Sequence, residues 1–420
     1  MNRKEKRAAA RQTPPAEQYK PTPHQSHPRT DKKRILWVSN AMWAPTGYGQ
    51  QTAQAVRRLV RDKHEVAVMA NYGLEASSTT WDSEGTPVEV YPRGTDTWSN
   101  DVIPAHAHHW TQQKPELQPL IITLFDVWVF KGPRWADWPV WSWVPVDHVP
   151  APADVANWCR LPFVKPIAMS KFGKAMLENV GIESEYAPHG IEAAYKPTPT
   201  FTTAEGEQMS GRQLMEIKED RFVVSMVANN KGVYPCRKAF GENLLAFSMF
   251  AQKHDDVVLY MHCDRTGSGG GIKMDDLAKA VGIPDSKIKY VDQYMYRNGV
   301  PLEAMASIYT ATDVLLAASM GEGFGLPTME AQACATRVIV SDFAASAELV
   351  GDGWRIDGQP QWDAPQKAWF HVPNVESIVN ALEEAYQQGR IRSQKAQDFA
   401  AAYEADRVWA EHWRPILAKY

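Results

Sequence analysis

A chain of 420 residues with 44% hydrophobic and 22% charged side chains holds enough apolar material for two ordinary globular domains. Its formal net charge of -4 gives no global reason to expect nucleic-acid binding, and no apolar run approaches the roughly 20 residues of a membrane-spanning helix. Cys159, Cys236, Cys263 and Cys334 are scattered without the Cys-x-x-Cys spacing of a zinc site, and the charged start has no apolar core of a secretory signal. A cytoplasmic protein without an integral membrane segment is expected.

Residues 1–33 are rich in Pro and Gln, with basic side chains outnumbering acidic ones, and read as a disordered basic arm. Such an arm serves either as a solubilising tail or as a segment that follows an anionic partner such as DNA. Order is expected from Arg34, where residues 34–40 form an apolar, buried strand. A glycine loop with Gly47 and Gly49 follows, then a helix over 52–62 and a strand over 65–70, which together make a βαβ opening. Further strands are predicted over 88–92, 120–126 and 140–148. Asp126, Asp147 and His148 close two of these strands. Ligands in open parallel sheets sit beyond the carboxyl ends of strands, so these three are candidates for chemistry, with plain capping or turn roles as the alternative. Trp128, Trp135, Trp138, Trp141 and Trp143 crowd the same region, either as core filling or as faces that stack on an acceptor. The first domain is placed at 34–196, and the Pro/Thr-rich stretch 197–212 reads as a linker.

The second domain, 213–400, opens with a strand over 222–228, a loop carrying Arg237 and Lys238, and a helix containing Phe240, Leu244 and Phe247. Strands over 257–263 and 288–291 lead to the apolar run 313–318. The next stretch, Ser319-Met320-Gly321-Glu322-Gly323-Phe324-Gly325-Leu326-Pro327-Thr328-Met329-Glu330, has the order strand, glycine loop, helix. Its glycines allow a tight turn and close approach to a ligand, and Pro327 suits a first helical turn. The free amides of Gly323, Phe324, Gly325 and Leu326 would then face an anion such as a diphosphate. Glu322 and Glu330 bracket the loop and suit the hydroxyls of a sugar. The last segment, 401–420, reads as a helix bearing Trp409 and Trp413.

The run from Ser319 to Glu330, with the Ala331-Gln332-Ala333 that follows, resembles the E-x7-E signature of the GT-B glycosyltransferases of family 4. Residues 338–342 and 347–350 are similar to that family's next strand and helix. Ala335-Thr336-Arg337 departs from the usual Gly-x-Pro. Phe125 stands beside Asp126 where many members carry a histidine, which makes Asp147 and His148 candidates for the missing polar contact. The resemblance implies an α/β protein with two doubly wound Rossmann-like domains facing across a cleft, and helix 401–420 crossing back to the first. It implies retaining transfer of a sugar from a nucleotide-sugar, a UDP-sugar or GDP-sugar, with no cofactor and no metal. Arg237 and Lys238 would hold the diphosphate, Glu330 the ribose and Glu322 the transferred sugar, with Gly47 and Gly49 approaching from the first domain. The acceptor stays open between a modified DNA base, a protein side chain and a glycan. A nucleotide-sugar epimerase of the same fold, which would need an acid and a base flanking the sugar, and a non-catalytic binding protein are the rival readings.

Overall fold

The computed structural model describes residues 32–234 and 236–419. The basic arm expected over 1–33 lies outside the described residues except for its last two, and Lys33 already begins the first strand with its side chain buried.

Eight strands form the first sheet: β1 Lys33–Ser39, β2 Glu65–Ala70, β3 Thr79–Ser83, β4 Thr86–Tyr91, β5 Gln118–Leu124, β6 Val140–Val144, β7 Val164–Ala168 and β8 Glu185–Tyr186. Their order is β3-β4-β2-β1-β5-β6-β7-β8, and β3 alone runs antiparallel to its neighbour. Every position of β1 is buried, which is why Ile35 to Val38 are apolar without alternation, while the buried Arg34 pairs with Glu65. The chain leaves β5 at Leu124 and β6 at Val144, earlier than the hydrophobic pattern predicts. Asp126, Asp147 and His148 therefore sit in the loops beyond the strand ends.

The stretch expected as a plain linker carries a short hairpin, β9 Thr200–Thr202 and β10 Gln208–Ser210, and a helical turn closed by a capping box between Ser210 and Gln213. The second sheet follows: β11 Phe222–Val227, β12 Val257–His262, β13 Ile288–Tyr290, β14 Val314–Ala317, β15 Arg337–Ser341 and β16 Gly353–Ile356. It is parallel throughout, in the order β13-β12-β11-β14-β15-β16, so the winding direction reverses between β11 and β14. Both sheets are doubly wound, and the architecture is GT-B. Helix Leu326–Ala333 is capped by Cys334 and followed by Ala335, which takes φ +63 where a glycine would be unstrained, and Thr336 then anchors the turn by donating to the Tyr309 carbonyl at 2.6 Å.

A hairpin that the hydrophobic pattern did not single out, β17 Gly358–Asp363 with β18 Ala368–Pro373, extends from the second domain. It reaches the first domain, where Val149 and Trp369 exchange backbone hydrogen bonds of 3.1 and 2.8 Å. The carboxy-terminal segment also returns. Ile191 bonds the Tyr403 carbonyl at 2.7 Å, Arg414 grips Asp62 at 2.7 and 2.9 Å, and the Trp413 ring lies 6.1 Å from Trp37 and 4.9 Å from Trp143. One apolar cluster thus runs from Trp37 and Trp143 through Phe324 to Tyr309, spanning both domains. Of the five tryptophans between 128 and 143, Trp135, Trp138, Trp141 and Trp143 are core residues, and only Trp128, 44% exposed, opens to solvent. The acceptor-stacking reading is removed for those four by their burial.

The second domain depends on one fully buried carboxylate, Asp313, just before β14. It accepts from Arg212 and Arg392 at 3.1 Å and from the Val223 amide at 2.8 Å, tying the linker helix, β11 and the segment after residue 390 to the strand that launches the glycine loop. Removing it strands buried guanidinium charge. Asp313→Ala is predicted to destabilise the protein by about 3–5 kcal/mol. Urea unfolding followed by tryptophan fluorescence checks this, and a loss below about 1 kcal/mol would contradict the assignment.

Candidate active site at the strand switch

The site grows from two neighbouring strand-to-helix loops. β11 and β14 lie side by side with Val224 opposite Val314, and the loops after them meet where the winding reverses, the usual place for a ligand in such sheets. Ala239 at φ +47 turns the first loop into helix Phe240–Ala251, just after Arg237 and Lys238. The Met320 amide bonds the Arg237 carbonyl at 2.8 Å, and the Asn243 side chain donates to the Ala318 carbonyl at 2.9 Å, so the two loops are fixed to each other.

Glu322 projects between the two cations. Its carboxylate accepts from Arg237 Nη1 at 2.8 Å and from Lys238 Nζ. Burial alone would raise the Glu322 carboxyl, but the Lys238 and Arg237 charges and their hydrogen bonds reverse this and hold it well below the usual carboxylate range. Burial lowers the Lys238 ammonium, with Glu322 opposing the change. The amides of Gly323, Phe324, Gly325 and Leu326 have no protein acceptor among the described residues. They lie at the start of helix Leu326–Ala333, with Gly325 at φ +130 and Pro327 in the first turn. The cavity beside Lys238, Glu322, Gly325 and Thr328 measures about 20 Å³, room for about one water.

The first domain closes over this loop. A Cβ on Gly321 would fall 2.3 Å from the Asp147 carbonyl, and one on Gly323 would fall 2.6 Å from Pro145 Cβ. These two glycines are needed for close approach between domains. Gly47 meets Leu326 across the cleft in the same way, its built Cβ 3.0 Å from Leu326 Cδ1, while Gly49 is pressed against the Ala44 carbonyl inside its own loop. Phe324 is buried, its ring 5.1 Å from His189 and 6.0 Å from Tyr403. Its side chain is interdomain core, and only its backbone faces the site.

Asp147 sits opposite Arg237, Oδ2 to Nε 3.8 Å, and pairs with His148 Nδ1 at 2.6 Å. Burial would raise the Asp147 carboxyl, but the His148 hydrogen bond and the His148 and Arg237 charges lower it overall. The other ring nitrogen of His148 meets Asp363 at 3.1 Å, and its face stacks on Phe370 at 3.7 Å. Asp126 is solvent-accessible at the cleft mouth, yet the surrounding walls, followed by the Asp147 charge, push it up to about 6. Burial likewise raises the Tyr48 hydroxyl, with Asp126 adding to it, which places Tyr48 beside the same cluster.

Glu330 lies apart from Glu322. It lines a second cavity of about 180 Å³ between the domains, with Gln50, Gln54, Tyr195 and Leu302. The Tyr309 hydroxyl donates to it at 2.7 Å, yet burial pushes its carboxyl up to about 7. The structure thus brings Asp147, His148, Arg237, Lys238 and Glu322 into one network, sets Asp126 at its edge and holds Glu330 in a neighbouring chamber. The hydrophobic pattern did not reveal Asp363, Phe370, Tyr48 or Tyr309. The alternation of Gln359, Gln361 and Asp363 with Pro360 and Trp362, followed by the turn-like Ala364-Pro365-Gln366-Lys367, was the available signal for the first two.

Residues 286–403 match the family model described as glycosyl transferases group 1. The second half of the chain therefore carries a glycosyl transferases group 1 domain. A D-inositol 3-phosphate glycosyltransferase of Geodermatophilus obscurus is 28% identical over 156 residues, 35% of this chain and 32% of that protein, so the match spans about a third of the curated relative. Among solved structures, the sucrose-phosphate synthase of Thermosynechococcus elongatus superposes with a TM-score of 0.67 at 15% identity, covering 92% of this chain and 100% of that one. Anabaena HepE in complex with UDP and glucose gives 0.63 at 15%, again covering 92% and 100%. These likenesses show the GT-B fold. No described helix is long and apolar enough to cross a membrane.

The raised carboxyl of Glu330 has a consequence for stability. From about pH 4.5 to about 7 the folded chain holds a proton that the unfolded chain releases, so this group's contribution is present at low pH and lost as pH rises through that window. Glu330→Gln keeps an acceptor for Tyr309 and removes the charge. It is predicted to raise the melting temperature by about 2 °C or more at pH 8 and to change it little at pH 4. Equal shifts at the two pH values in differential scanning fluorimetry would count against a buried, titrating Glu330.

Proposed function

We propose that the chain is a retaining glycosyltransferase that moves a sugar from a nucleoside-diphosphate donor, carrying uridine or guanosine, to an acceptor hydroxyl. The reading rests on one observation: Arg237, Lys238 and the unpartnered amides from Gly323 to Leu326 converge at the β11–β14 switch. Breaking the bond between the sugar C1 and the diphosphate leaves negative charge on the departing phosphate oxygen. A guanidinium, an ammonium and a helix start are the groups that stabilise such charge. Glu322 uses part of the donor capacity of the two cations, and an arginine has five N–H groups and a lysine three, so others remain for phosphate oxygens. The acceptor oxygen forms the new bond to C1, and its proton passes to the leaving phosphate.

In this reading Glu330 holds the ribose hydroxyls from its chamber, Glu322 the hydroxyls of the transferred sugar, and Asp126 is the accessible carboxylate at the side of the cleft. HepE, a structural neighbour in complex with UDP and glucose, supports the choice of donor class. The epimerase alternative is disfavoured because His148, the acid or base it would call on, has both ring nitrogens engaged by Asp147 and Asp363. A modified DNA base as acceptor is supported only by the basic excess in the first 34 residues of the sequence.

Lys238→Ala is predicted to lower kcat/KM for the donor by about 10²–10³, or roughly 2.7–4 kcal/mol, with the fold retained by circular dichroism. Near-normal turnover in a folded variant would remove the phosphate role. Because protein cations are assigned the charge stabilisation, donor turnover should persist after treatment with EDTA. Complete loss restored by magnesium or manganese would overturn that assignment.

A further inference from the structure

A connected series of six polar side chains runs across the cleft from one domain to the other: Lys238, Glu322, Arg237, Asp147, His148 and Asp363. Asp147 and His148 come from the first domain, and the other four come from the second. The terminal member, Asp363, is contributed by the β17–β18 hairpin. We propose that this hairpin is a latch in which Asp363, acting through His148, holds the domains closed, positions Asp147 against Arg237 and must release before a nucleotide-sugar can enter. The proposal rests on the donor-site reading above.

Three observations carry it. The hairpin touches the first domain by backbone as well as side chain, through the paired bonds of Val149 and Trp369 at 3.1 and 2.8 Å. Those bonds lie in the same segment as His148, so ring and backbone engage together. Second, His148 is clamped on three sides. Nδ1 meets Asp147 at 2.6 Å, Nε2 meets Asp363 at 3.1 Å, and the ring face lies on Phe370 at 3.7 Å. A ring held in that way cannot reach a substrate, and what it can do is fix the Asp147 carboxylate toward Arg237. It is a positioning residue.

Third, the first domain lies directly on the loop assigned to the diphosphate, since a Cβ on Gly321 would fall 2.3 Å from the Asp147 carbonyl and one on Gly323 2.6 Å from Pro145 Cβ, so the domains must part for a donor to reach that loop. The latch is suited to that. Asp363 is 7% exposed, and its Oδ1 meets no donor among the described residues, so His148 is the side chain that offsets the burial of this carboxylate. A buried hydrogen bond replaces one made to water, so its net contribution is small, which keeps closed and open arrangements near in free energy. Opening returns Asp363 to water. Closing restores the array through Asp147 to Arg237.

The test uses the full-length chain and two variants, Asp363→Ala and His148→Phe, the second of which keeps an aromatic face for Phe370. Hydrogen exchange read by mass spectrometry should show about tenfold or faster exchange in peptides containing Val149 and Trp369, since a hydrogen bond to a carboxylate contributes about that factor. Peptides of β1 and β11 should be unchanged, which shows that both domains are folded. If either variant fails that check, Asp363→Asn, which keeps the side-chain shape, takes its place. UDP mixed with the same proteins in a stopped flow should associate about tenfold faster with the variants. Unchanged exchange at Val149 and Trp369 would overturn the latch. Faster exchange with an unchanged UDP association rate would overturn its control of donor access. Absence of UDP binding in the unmodified protein as well would count against the donor reading, while the exchange data would still decide whether the latch exists.

Discussion

The Glu322 carboxylate held between Arg237 and Lys238 is the interaction on which the site depends. It fixes the glycine loop after β14 to the basic loop after β11, and the Met320 amide and the Asn243 side chain make the connection rigid. Charges this close and this buried are stabilising only when every one of them has a partner, and the surrounding protein supplies those partners in series. Arg237 faces Asp147, Asp147 faces His148, and His148 faces Asp363. The electrostatics of one loop therefore extend into the contact between two domains.

Packing follows the same path. Gly321 and Gly323 have no room for a side chain because the first domain lies against them, and Phe324 fills the seam between His189 and Tyr403. The loop that would meet a ligand with its backbone meets the other domain with its glycine Cα atoms and its phenylalanine ring. Glycines in such a stretch thus have two uses, and the closed cleft assigns two of them to domain contact. The tail adds to this seam, since Trp413 against Trp37 and Trp143 makes the carboxy terminus part of the first domain's core.

The fold class was legible because parallel sheets covered on both faces leave a clear sequence trace: β1, β5, β11 and β14 are apolar runs ended by loops with glycine or charge. The glycine loop was legible for a related reason, as Gly321, Gly323 and Gly325 beside Glu322 have few uses outside a tight turn. What did not show is whatever depends on long-range partners. Nothing local marks Asp363 as the partner of a histidine 215 positions earlier. Trp135 to Trp143 look the same in sequence whether they fill a core or line a groove, and burial decided for the core. Glu322 and Glu330 read as a matched pair, yet Tyr309 and the Gln50 to Gln54 helix turn hold Glu330 in a separate chamber where its carboxyl is raised rather than lowered. Ala335 at φ +63 shows the same limit, since an alanine in a glycine conformation is required by the turn before β15 and not by its own preference.

The central claim is that the Arg237–Lys238 loop and the amides from Gly323 to Leu326 recognise a diphosphate. Isothermal titration of UDP and GDP against UMP and GMP tests it most directly, because only the second phosphate differs within each pair. The account predicts one site per chain, with a diphosphate bound at least about tenfold more tightly than its monophosphate, or about 1.4 kcal/mol, and that advantage lost in Arg237→Ala. Equal affinity for diphosphate and monophosphate, or no binding of either nucleoside series, would contradict it.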